Sequence, residues 1–108
     1  MAKYNVWDGD GSTRPFNSLT AAGKYAYASM KRFMDKWPRE ELHTRVLWDS
    51  EGRSTDTYFA RIHYKRRKFS YYTGKKGVYR LKADGTFGPL TADEKAIIHK
   101  VENDPKNW

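Results

Sequence analysis

From Thr57 to Ala83 the chain holds no aspartate or glutamate, and three strand-length runs follow one another across very short turns. Parallel neighbours need a crossover of about a dozen residues or more, so runs this close must pair antiparallel. The runs are Thr57–Tyr64, Arg67–Tyr72 and Val78–Lys82, divided by Lys65-Arg66 and by the glycine-bearing Thr73-Gly74-Lys75-Lys76-Gly77. An earlier run, Thr44–Trp48, is set off by the turn-forming segment Asp49–Ser54. Together they predict a four-stranded antiparallel meander.

Side chains alternate across a strand, so the turn lengths decide which residues share a face. A two-residue turn at Lys65-Arg66 sets Ile62 opposite Phe69, Ala60 opposite Tyr71, His63 opposite Lys68 and Arg61 opposite Ser70. A five-residue loop pairing Tyr72 with Val78 then sets Tyr71 opposite Tyr79 and Phe69 opposite Leu81. One face would carry Tyr58, Ala60, Ile62, Tyr64, Phe69, Tyr71, Tyr79 and Leu81; the other would carry Phe59, Arg61, His63, Lys68, Tyr72, Arg80 and Lys82.

Asn17 or Ser18 can cap a helix running to about Lys36, before Pro38 stops it. Leu19, Ala22, Ala26, Met30, Phe33 and Trp37 recur at spacings of three and four and form its apolar stripe, with Tyr25 and Met34 beside it. A second helix is predicted over 91–103, because Thr91 and Glu94 have capping-box spacing and Ile97, Ile98 and Val101 supply an apolar face. Packing both helices on the apolar face gives an α+β, two-layer sandwich in a single domain, 1–108. Residues 1–16 form an extended N-terminal segment with a short strand near Lys3–Trp7, and 104–108 a flexible tail.

The acid-free block carries nine cations: Arg61, Lys65, Arg66, Arg67, Lys68, Lys75, Lys76, Arg80 and Lys82. The rest of the chain holds twelve basic and thirteen acidic residues, so this block supplies the whole net charge of +8. Such a concentration is the electrostatic footprint of a phosphate-rich partner. On the second face Phe59 and Tyr72 stand among cations, an arrangement suited to single-stranded DNA or RNA, with bases stacked on rings and phosphates on Lys and Arg. The candidate nucleic-acid-binding residues are Phe59, Arg61, His63, Lys65, Arg66, Arg67, Lys68, Tyr72, Lys75, Lys76, Arg80 and Lys82. A two-stranded ribbon with a basic tip can also enter a duplex major groove. The same surface would suit a non-catalytic inhibitor or accessory factor docking on a nucleic-acid-handling protein.

Catalysis has little to work with. The histidines are His43, His63 and His99, and no HExxH, Walker loop or nucleophile elbow occurs. A metal-independent ribonuclease would need His63, phosphate clamps at Arg61 and Arg80, and a carboxylate such as Glu51 or Asp56 brought in by a loop, so a non-enzyme is expected. Cysteine is absent, which removes disulfides and thiolate metal sites. Asp8-Gly9-Asp10-Gly11-Ser12 reads as a turn, because Thr13 and Leu19 occupy the glycine and glutamate positions of a calcium loop. No metal or cofactor is expected. With neither a signal-peptide core nor an apolar membrane span, the expected location is cytoplasmic.

Overall fold

The computed structural model describes residues 3–8, 11–37, 42–49, 51 and 54–107. Its elements are β1 (Tyr4–Trp7), β2 (Thr13–Phe16), α1 (Leu19–Lys36), β3 (Leu42–Asp49), β4 (Ser54–Tyr64), β5 (Arg67–Gly74), β6 (Gly77–Leu81), β7 (Phe87–Gly88) and α2 (Ala92–Glu102), followed by a 3-10 turn at Pro105–Asn107. The class is α+β, as expected. One antiparallel sheet has the order β2-β1-β3-β4-β5-β6-β7, so the four predicted strands, β3 to β6, form its centre. Pro15 lies in β2, at an edge where its missing N–H costs no ladder bond. The turn expected over Asp8–Ser12, that over Asp49–Ser54, and the helix stop at Pro38 lie wholly or partly outside the described residues.

Both helices start where their capping residues dictate. The Ser18 hydroxyl accepts from the Ala21 N–H, and at α2 the Thr91 hydroxyl and the Glu94 carboxylate close a reciprocal capping box. Beyond α2 the Asn107 side-chain amide donates to the Val101 carbonyl at 2.9 Å.

Two expectations about the sheet are corrected. Gly74 pairs with Gly77 across a two-residue turn, so Tyr72 lies opposite Tyr79 and Tyr71 opposite Arg80. That one-residue difference sends Tyr79 and Leu81 to the Phe59 face and Arg80 to the other. The helices also do not share a face. α1 packs with Val6, Leu47, Phe59 and Leu81, whereas α2 packs with Ala60, Ile62, Phe69 and Tyr71. Phe59 and Ala60 are consecutive in β4 and point to opposite sides, so the molecule has three layers, helix–sheet–helix.

The reason lies in the side chains α1 offers. Its buried residues are Ala22, Gly23, Ala26, Ser29, Met30 and Met34, mostly small, so the helix settles close to the sheet, while Trp37 is left exposed. Cations on the same face are accommodated beneath it. Arg45 is buried, with its Nε 3.1 Å from the Ser29 hydroxyl and 3.4 Å from the carboxylate of buried Asp8, and its guanidinium over the Phe33 ring. Tyr25 donates to that same carboxylate, and burial followed by this contact raises its phenol above the ordinary range.

On the other face, the hydroxyls of Tyr58 and Tyr71 both donate to the Glu102 carboxylate of α2. Burial first, then this hydrogen bond, pushes the Tyr58 phenol up to about 12, and Tyr71 is raised in the same way. Phenols in the unfolded chain ionise near about 10, so the stability contributed by the protonated form is complete below that pH and is lost as pH rises toward the folded value. Urea unfolding across this range should show stability falling between about pH 10 and 12, and Tyr58→Phe should lose about 1.5 kcal/mol at neutral pH while shallowing the alkaline decline. A stability profile flat across that range would show the hydroxyls free of Glu102.

Candidate nucleic-acid interface

The cations divide between the two ends of the sheet, because consecutive turns of a meander lie at opposite ends. At one end, β4 and β5 are joined by Lys65 and Arg66, with φ of 46° and 69°. Two left-handed residues are what a type I′ hairpin requires, usually met by Asn-Gly, and here both are long and cationic. Beyond the Leu42–Ile62 pair of β3 and the Arg80–Tyr71 pair of β6, the ladder from His63–Lys68 to Tyr64–Arg67 runs as a two-stranded ribbon among the described residues. Lys65, Arg66 and Lys68 are exposed. Lys65 and, from α2, Lys100 stand over the Tyr64 ring at 5.4 and 5.7 Å. Hydrogen bonding from Lys100 leads the effects that hold the Tyr64 phenol below its ordinary range.

Other predicted contacts are committed elsewhere. Arg67 pairs with Asp93, and Arg80, on the α2 face, pairs with buried Glu94. Burial works to raise the Glu94 carboxyl, but the Thr91 N–H and the Arg80 guanidinium outweigh it and hold the group below its usual range. Arg61 is 8% exposed, donates to the Ser70 hydroxyl at 2.7 Å and lies 5.3 Å from the Tyr27 ring of α1. Phe59 is fully buried against Tyr72, their ring centroids 5.3 Å apart. Phe59 and Arg61, expected on an open stacking surface, are therefore core, while Tyr72 is only partly buried. His63 is partly buried opposite Lys68, and Lys82 is exposed near Asp84 and Gly88.

At the other end, beside Leu19 at the start of α1, lies a hollow of about 570 Å³. Its floor is the α1 face of the sheet: Tyr4, Leu47, Thr57, Tyr72 and Tyr79. Leu19 and Phe87 wall it, Trp48 and Asp49 lie at one side, and exposed Lys75 and Lys76 at another. Phe87 stacks on Tyr72 at 4.5 Å and 25°. A Cβ on Gly74 would stand 2.8 Å from the Tyr72 ring, so glycine is what lets that ring lie along the strand. Burial, with Tyr4 next, raises the Tyr72 phenol. Sequence reasoning found Tyr72, Lys75 and Lys76 here but missed Tyr4, Tyr79 and Phe87; a glycine two residues from an aromatic on the same strand face was the available signal.

No protein-family model, curated protein or solved structure matches the chain. No helix among the described residues is long and apolar enough to cross a membrane.

Proposed function

We propose that this protein binds nucleic acid without catalysis, gripping phosphates with Lys65, Arg66, Lys68 and Lys100 at the β4–β5 ribbon end. The observation that carries this reading is the Lys65-Arg66 turn, where two non-glycine residues hold left-handed backbone at a place suited to Asn-Gly. Strained positions of this kind are kept where the side chains they present matter. With Phe59 and Arg61 beneath α1, broad stacking of a single strand loses its surface, and a two-stranded ribbon has the width that a duplex major groove admits. Labelled duplex and single-stranded oligonucleotides of equal length, titrated at two salt concentrations, test the reading. Duplex should bind at least as tightly as single strand, with a logarithmic salt slope of roughly −3 to −4 for four phosphate contacts. Absence of binding at low salt would overturn it.

A second reading rests on Trp7 and Trp37, which are 38% and 52% exposed. Exposed tryptophans are frequent anchors of protein interfaces, so an accessory factor docking on a nucleic-acid-handling protein is the alternative. It predicts a stoichiometric protein partner that survives nuclease treatment, and loss of that partner in Trp37→Ala.

A further inference from the structure

We propose that the hollow at the Lys75-Lys76 end of the sheet is a nucleotide site, taking a base against its aromatic rings and a phosphate on the two lysines. Its volume, about 570 Å³, lies in the range of small-molecule sites, which are mostly apolar with a few placed polar groups. Tyr4, Tyr72, Tyr79 and Phe87 present ring surface, and every base has a π-face to lay on it. Exposed Lys75 and Lys76 stand at the same hollow, and the Tyr79 hydroxyl donates to the Lys76 carbonyl at 3.2 Å, tying the turn to the aromatic floor. Asp49 also lines the hollow, from β3, so an anion is favoured only at the Lys75-Lys76 side; a neutral apolar ligand would make no use of that side, and inorganic phosphate would leave the rings uncovered. A nucleotide answers both. This site lies at the opposite end of the sheet from the ribbon and does not rest on the ribbon's role.

Titration calorimetry on the full chain compares a nucleoside monophosphate, its nucleoside, ribose 5-phosphate and a short 5′-phosphorylated single-stranded oligonucleotide. The monophosphate should bind, and removing either base or phosphate should weaken it by about tenfold or more. Lys75→Glu with Lys76→Glu should weaken the monophosphate by about tenfold and leave the nucleoside unchanged, both positions being exposed. Gly74→Ala, whose methyl displaces the Tyr72 ring, should weaken nucleoside and monophosphate alike. In the Lys65→Glu, Arg66→Glu background, which removes the ribbon's contribution, an oligonucleotide tighter than the monophosphate identifies an unpaired strand end as the source; an equal or weaker one identifies the free nucleotide. The proposal is overturned if the monophosphate fails to bind, binds no better than nucleoside and ribose 5-phosphate, or ignores the lysine reversals. It is equally overturned if Lys65→Glu with Arg66→Glu abolishes monophosphate binding, since the ligand would then sit on the ribbon.

Discussion

Gly85→Ala is expected to destabilise the protein by about 3 kcal/mol or more, with a fall in Tm of roughly 15 °C in thermal unfolding followed by circular dichroism. Gly85 has φ +86°, and a Cβ there would stand 2.0 Å from the Thr20 carbonyl oxygen and 2.9 Å from the Lys24 nitrogen. Both atoms are α1 backbone, which cannot step aside without moving the helix. The helix contributes a matching glycine, since a Cβ on Gly23 would meet the Gly85 carbonyl oxygen at 3.0 Å and Leu81 at 3.1 Å. Gly77→Ala is the control: its φ is +130°, but nothing lies within 4 Å, so only the backbone preference is lost, about 1 kcal/mol. Equal effects at the two positions would place α1 elsewhere and reopen the Phe59 and Arg61 surface. That contact thus decides whether those two side chains are open to solvent, because the close seating of α1 is what buries them.

Lys65→Glu with Arg66→Glu should weaken duplex binding by roughly 3 kcal/mol, about a hundredfold, and by a similar factor for every sequence, because phosphate contacts carry no base information. The logarithmic salt slope should fall by about 1.8, which is 0.9 for each of the two phosphates released. Both side chains are exposed at a hairpin tip, so thermal stability should be nearly unchanged. Arg61→Glu should behave in the opposite manner, unfolding the protein by burying a carboxylate beside Ser70 and Tyr27 rather than reporting on binding. If the tip reversals leave affinity and salt slope intact, the ribbon is not the nucleic-acid contact.

What the chain declares locally is found in place. Ser18 and the Thr91–Glu94 box mark the helix starts because caps act within one turn of backbone, and the β4–β5 register follows from a two-residue turn and the pairing of Ile62 with Phe69. Charge concentration in 57–83 was equally legible, since it needs only a count. Beyond that range, distant contacts decided. Thr73 to Gly77 can close a five-residue loop or a two-residue turn, and the choice of Lys75-Lys76 moves Arg80 to Glu94 and Tyr79 to the aromatic hollow. A strand bearing Arg61 reads as solvent-facing because a buried charge is costly unless satisfied. The β4–β5 register already placed Ser70 across from it, but the Tyr27 ring comes from α1, and only the tertiary structure lays that helix over the strand.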